Sequence, residues 1–254
     1  MGRNKSNDTL TFVLGIILIG CLIQAAGWIK NDRLVFPSVI EILRAFFQLI
    51  TSARTYILIR TTMVHLLAAL AFSTLIGIPL GLWEGFSDFA RTLLRPLMVM
   101  MRSIPMIVLV IIIMVLTKYD RVPVIGTTLM LIPLISEASC EGCRRIEPEL
   151  IDVYRMYSSF NSQVLFSVYL PMIGGYLKQA YINAVGMGIK LVVTTEYLVQ
   201  TRNSLGKAIY SSVYFNEYED IYAYALVIIL MVVLLGELPR WISRLISSGK
   251  RNLK

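Results

Sequence analysis

Four ionisable residues, Arg102, Glu137, Lys190 and Glu196, fall inside long apolar stretches of this sequence. A charge at the centre of a bilayer costs roughly 2.5–3.5 kcal/mol on insertion scales, so such residues face one another or a wet cavity. Two bases and two acids can balance. Thr194 lies one helical turn beyond Lys190, Glu196 follows toward the end of the same helix, and Gly186 and Gly188 loosen the backbone nearby. Two readings fit. In one, Arg102, Glu137, Lys190, Thr194 and Glu196 belong to a solute path, with Arg102 bracing Lys190 and Glu196. In the other, the four form a structural ion-pair network that fixes helix register.

Other chemistry is more restricted. Cys140 and Cys143 form a Cys-x-x-Cys pair, but a zinc site needs about four ligands. The chain has three cysteines and one histidine, His65, in a different helix. A redox pair would be expected beside a βαβ unit, which the sequence lacks. Cys21 and His65 read as packing residues. Ser204-Leu205-Gly206-Lys207 has the outline of a phosphate loop, yet Thr201 and Ala208 stand where glycine and a hydroxyl residue are required. No HExxH, GxSxG or GxGxxG occurs. The expectation is a protein that is not an enzyme and binds no cofactor directly.

The elements that carry these residues are membrane helices. The chain has 254 residues, of which 56% are hydrophobic and 16% charged, and its mean hydropathy is +0.69. Such a composition reads as a polytopic membrane protein. The net charge of +8 follows from basic residues beside the spans, and no basic patch interleaved with aromatics points to nucleic acid. Apolar runs long enough to cross number six, at about 9–29, 57–83, 93–117, 123–140, 170–199 and 220–246. Pro123 and Pro133 blur the ends of the fourth. Without ten-residue alternation a barrel is excluded, so the fold class is all-α. An even number of spans puts both termini on one face, and twelve Lys/Arg residues against nine place that face in the cytoplasm.

Near the N-terminus, Met1-Gly2 with Ser6 matches an acylation pattern, and Leu18-Ile19-Gly20-Cys21 a lipoprotein box. The apolar run continues through Trp28 and Ile29, which favours a retained first helix. Beyond it Ser38 and Glu41 form a capping box, and Val39, Ile42, Leu43, Phe46, Phe47 and Ile50 recur at helical spacing. An amphipathic helix on the outer leaflet or a plain connector both fit. Gly77, Gly81 and Gly85 recur every fourth residue around Pro79, a spacing that lets two helix backbones approach closely.

Residues 152–171, DVYRMYSSFNSQVLFSVYLP, are too polar to cross. Pro148 suits a helix start, residues 149–157 can form a short helix, Ser158, Ser159, Asn161 and Ser162 supply a turn, and the chain re-enters through Val168 to Pro171. This is a stiff cytoplasmic elbow. It resembles the EAA loop of ABC-importer permeases. Asp152, Val153 and Tyr154 stand at the E-A-A positions, Ser158 at the glycine, and Leu170-Pro171 at the close. Val153, Tyr154 and Ser158 depart from the small residues usual there. LVFPS at 34–38, GIPLG at 77–81, Arg95-Pro96, Arg102-Ser-Ile-Pro105, Gly142-Cys143-Arg144 and Glu196 followed by Ser204-Leu205-Gly206 resemble, in order, the permeases for sulfonates, taurine, nitrate and thiamine or flavin precursors. Lys190 is closer to the vitamin-precursor members.

The resemblance implies an importer of a small polar solute, an organic anion or vitamin precursor, in the bacterial inner membrane. It implies a second, identical permease, two ABC ATPases holding ATP and magnesium, and an extracytoplasmic substrate-binding protein. The elbow then docks on an ATPase, with Tyr154, Tyr157 and Phe160 as interface anchors and Asp152 as the retained charge. The expected organisation is a cytoplasmic N-terminus (1–8), a first span (9–29), an outer segment with the amphipathic helix (30–56), a transmembrane core (57–246) that includes the elbow (145–171), and a basic tail (247–254). A secondary transporter or channel is the competing class, although no inverted repeat is apparent.

Overall fold

The computed structural model describes residues 37–146 and 169–251, with side chains as far as residue 236. The expected first span and the elbow residues Asp152, Val153, Tyr154, Tyr157, Ser158 and Phe160 lie outside the described residues. Helix α1 (Val39–Thr51) begins at the capping box: Glu41 N–H donates to Ser38 Oγ at 3.3 Å, and Ser38 N–H donates to Glu41 Oε2 at 2.7 Å. Its Ile42 and Ala45 are buried while Ile40, Leu43 and Phe47 are exposed, and its main packing partner is the last helix.

Helix α2 (Ala53–Phe86) follows after one residue and runs through Pro79. At 34 residues it is roughly 50 Å long, ample for a bilayer. Helices α3 (Asp88–Ser103) and α4 (Met106–Leu116) come next, then a 3-10 turn at Tyr119–Arg121 and α5 (Val122–Arg144). Beyond the elbow are α6 (Leu170–Val199), α7 (Leu205–Tyr214) and α8 (Tyr218–Arg251). Among the described residues, four helical segments are long and apolar enough to cross a membrane, five if α3 and α4 together make one crossing.

Two expectations about the spans need correction. The third, drawn as one run over 93–117, is two helices bent by 101°. Pro105 forces the break: its ring disfavours helical geometry at the residue before it, and Ile104 is extended at φ −67°, ψ 123°. The fourth span is longer than 123–140. It is helical from Val122 to Arg144, with Pro123 in the first turn, where a missing N–H costs nothing, and Pro133 carried inside.

Helix α5 is the centre of the bundle, packed against α2 on one side and α6 on the other. Gly77, Gly81 and Gly85 form the α2 face of that contact. A Cβ at Gly81 would lie 2.1 Å from Ser136 O and 2.6 Å from Ser139 Cβ, and one at Gly85 would lie 2.7 Å from Cys143 Cβ. Gly188 faces α2 more loosely, since a Cβ there would meet Leu66 Cδ1 at 2.7 Å, the tip of a side chain that can shift. Gly188 is therefore a packing position inside an unbroken α6, and the helix is not interrupted at Gly186 or Gly188.

The backbone carbonyl of Ser136 cannot yield as a flexible side chain would. Gly81→Ala is therefore expected to cost about 2–3 kcal/mol through overpacking, and Gly81→Leu to abolish assembly. Gly175→Ala, with nothing within 4 Å of the added methyl, serves as the control. The check is the apparent melting temperature of detergent-purified protein, with only the Gly81 variants falling.

Candidate functional site

Gln179, Asn183, Lys190 and Thr194 are all exposed on α6. At 100° per residue they fall within roughly 60° of one another, with Gly186 between them, so they form one narrow polar stripe. Gln179 Nε2 donates to Asn183 Oδ1 at 3.3 Å, whereas Lys190 has no ion-pair partner among the described residues. Other exposed faces differ in kind. Helix α2 shows Val64, Leu67, Phe72 and Leu75, α4 shows Ile107, Ile111 and Val115, and α8 shows Ile229, Val233 and Leu234. Those surfaces suit lipid, and the α6 stripe suits water or a polar partner.

Arg102 does not brace Lys190 or Glu196. Its guanidinium pairs with Glu137 Oε2 at 2.7 Å and donates to Pro133 O at 3.2 Å, tying α3 to α5. A second rung, Arg144 to Asp88 at 2.7 Å, joins the same helices nearer the elbow. The four charges therefore divide among three places: the Arg102–Glu137 pair, Lys190 on the exposed stripe and the buried Glu196. Between the rungs lies a cavity of about 800 Å³.

Glu196 is also placed differently from the expected path wall. It is 0% exposed and rotated roughly 120° from the polar stripe. Thr62 Oγ1 donates to its Oε2 at 2.8 Å, Gly206 N–H donates to the same oxygen at 3.2 Å, and His65 Nδ1 lies 2.7 Å from its Oε1. Thr62 Oγ1 in turn accepts from Leu205 N–H at 3.1 Å. The carboxylate thus staples α2, α6 and α7 together. Gln200 and Asn203, both left-handed at φ 55° and 54°, reverse the chain so that α7 returns onto the end of α6. Only glycine fits at 206, where a Cβ would lie 2.4 Å from Tyr197 N and 2.5 Å from Val193 O.

The two stems of the elbow meet on one apolar cluster. Ile146 from α5 packs with Tyr169, Ile173 and Leu177 from the start of α6, together with Leu82, Ile135 and Cys143. Phe86 meets the Tyr169 ring edge-on at 4.9 Å, and the Arg145 guanidinium sits over the Tyr176 ring at 5.8 Å. Tyr176 and the paired Glu141 hold Arg145 above its usual range, so it stays charged. Gly142 permits this approach, since a Cβ there would lie 3.0 Å from Ile173 Cβ. Cys140 and Cys143 are buried free thiols, and no cluster of metal-ligating side chains occurs among the described residues.

Residues 73–252 match the family of binding-protein-dependent transport system inner membrane components. The chain belongs to that family. It is accordingly a multi-pass transport component and not an enzyme. Among curated relatives, the glycine betaine/proline betaine transport system permease protein ProW of Escherichia coli (strain K12) is 33% identical over 112 residues. That match covers 44% of this chain and 32% of the relative, so the chain spans about a third of that protein's length. The glycine betaine transport system permease protein OpuAB of Bacillus subtilis (strain 168) is 22% identical over 205 residues, 80% of this chain and 70% of that one. Among solved structures, the inward-facing MetNI methionine ABC transporter superposes with a TM-score of 0.62 at 19% identity, covering 74% of this chain and 95% of that one. A bacterial ABC transporter involved in alginate import gives 0.63 at 16%, covering 94% and 97%. At these identities the likeness is of fold alone.

Within this family component, the sequence reading overlooked Thr62 and His65 as partners of Glu196. They lie in another helix 134 and 131 residues away, and only the fold brings them together. Gln179 and Asn183 carried a readable signal, being amides at i, i+4 inside a span. If Glu196 is a staple, Glu196→Ala strands Thr62, His65 and the Gly206 N–H and should cost about 3–5 kcal/mol, while Glu196→Gln, which keeps the shape, costs less. Thermal unfolding of the purified protein should rank them parent, Gln, Ala.

Proposed function

We propose that the chain is the permease subunit of an ABC importer and that two identical copies enclose the solute path about a two-fold axis. The polar stripe on α6 carries this reading. An exposed row of Gln179, Asn183, Lys190 and Thr194 along a membrane-crossing helix is costly against lipid and favourable against a wet path. Arg102 and Glu137 border the inner end of that path, and Glu196 supports its wall from behind. The elbow, with Asp152, Val153, Tyr154, Tyr157, Ser158 and Phe160, docks on a cytoplasmic ATPase that supplies ATP and magnesium. Both termini then face the cytoplasm, and an extracytoplasmic binding protein delivers the solute.

For the solute, the names of the curated relatives support a glycine betaine-type compound more directly than a sulfonate, taurine, nitrate or vitamin precursor. Glycine betaine and the sulfonates share an oxyanion, and the unpaired ammonium of Lys190 suits that group. Lys190 stands roughly 30 Å from the start of α6, toward the outer end of that helix.

Reconstituted with its ATPases and binding protein, the complex should take up solute only while ATP is hydrolysed. Uptake without ATP would overturn the importer reading in favour of a secondary transporter or channel. Lys190→Met should assemble and bind the ATPase normally yet slow uptake about tenfold, which corresponds to 1.4 kcal/mol. An assembled variant transporting at the parental rate removes Lys190 from the path. Asp152→Lys or Tyr157→Ala should weaken ATPase pull-down by about 2 kcal/mol with the permease still folded.

A further inference from the structure

The cavity between α3 and α5 holds charges that no ion pair uses. Arg144–Asp88 and Arg102–Glu137 bridge the two helices across it, and Arg145–Glu141 lies along its edge. Arg91 and Arg95, one turn apart on α3, line the same cavity without an ion-pair partner among the described residues. So does Glu84, at the inner end of α2. It is 8% exposed, and neither its Oε1 nor Ser136 Oγ on α5 makes a hydrogen bond of good geometry, although Ser136 is close enough to act on the carboxyl. Arg91 and Arg102 act on Glu84 through space, but neither comes within ion-pair distance.

We propose that this cavity binds a zwitterion, its oxyanion held by Arg91 and Arg95 and its cationic nitrogen set against Glu84. The opposite face of α3 exposes Phe89, Leu93, Leu97 and Met100, which puts the helix against lipid, where unmatched charge is expensive. Two guanidiniums a turn apart match a phosphate or carboxylate, which they bind through forked hydrogen bonds. A simple anion leaves the Glu84 carboxylate unmatched and adds a like charge beside it. A simple cation leaves both arginines unmatched. A zwitterion meets both demands, and about 800 Å³ accommodates one headgroup or small solute with water. Two sources carry this chemistry: a phosphatidylethanolamine headgroup entering from the bilayer, and a free solute such as glycine betaine entering from the water at the face where residues 147–168 leave the bundle.

The test uses the full chain, purified and delipidated in detergent, with three probes: short-chain phosphatidylethanolamine, short-chain phosphatidylglycerol and glycine betaine. Native mass spectrometry and thermal shift should show binding of one or both zwitterions, with phosphatidylglycerol about tenfold weaker. Preference for the ethanolamine lipid assigns the site to the bilayer, and preference for betaine assigns it to free solute. The double variant Arg91→Ala/Arg95→Ala should lower zwitterion binding about tenfold, and Glu84→Gln should lower it while leaving phosphatidylglycerol unchanged. The arginines are exposed and unpaired, so their variant should fold and can decide the matter even where Glu84→Gln does not. The proposal is overturned if neither zwitterion binds, if phosphatidylglycerol binds as well, or if the arginine variant binds like the parent. Because the readout is binding, the result does not depend on whether uptake needs ATP.

Discussion

At Gly81 the backbones of α2 and α5 come so close that a methyl group would overlap the Ser136 carbonyl at 2.1 Å. This contact organises the rest. Lipid tails are as apolar as leucine, so membrane helices gain little by burying hydrophobic surface and must gain by dense packing, which small residues permit. Gly77, Gly81 and Gly85 fix α5 on α2, Gly142 and the Ile173 cluster fix α6 on α5, and Gly188 returns α6 to α2. Each functional feature borrows its position from this three-helix wedge. The polar stripe is the α6 face turned away from it, the charged cavity lies between α5 and α3, and Ile146 and Tyr169, which flank the elbow residues, meet at its end.

Helix α6 shows how one helix can treat two charges oppositely. Lys190 and Glu196 are six residues apart, and that spacing turns one out of the bundle and the other into it. The inward carboxylate survives because its oxygens meet Thr62, His65 and the Gly206 N–H within 3.2 Å. A buried charge matched in this way adds little stability over an apolar substitute, but losing one partner is costly. What it contributes is register: α7 can close on α6 only where Gly206 meets Glu196. The outward ammonium has no such partners and depends on whatever fills the space beside the stripe.

The sequence was legible where a local pattern carries a local cause. Ser38 and Glu41 announced the start of α1, and the four-residue glycine spacing announced the tight face of α2. Within the described residues hydropathy located the spans, but it saw 93–117 as one run because Ile104 and Pro105 are as apolar as their neighbours, and the 101° bend is a backbone effect invisible to hydropathy. Grouping the intramembrane charges failed for another reason. Charge balance shows that Arg102, Glu137, Lys190 and Glu196 can neutralise one another, yet pairing is decided by helix placement, which gave Arg102 to Glu137 and Glu196 to polar groups on other elements. His65 looked like a packing residue because its partner lies 131 positions away.

Continuity distinguishes the helices that can carry motion. Tyr169 and Ile173, at the stem of the elbow, stand at the beginning of the same unbroken helix that holds Lys190 and Thr194 near its far end. One continuous ladder of backbone hydrogen bonds therefore joins the stem to the stripe over roughly 30 Å. The α3–α4 pair is broken at Ile104–Pro105, and a displacement of α3 need not reach α4. The ion-pair rungs from α3 to α5 supply a softer link, since Arg102 and Glu137 are 46% and 59% exposed and can part into water at little cost. The bundle thus joins an unbroken helix, α6, to a bent pair, α3 with α4, through contacts that differ in burial and strength.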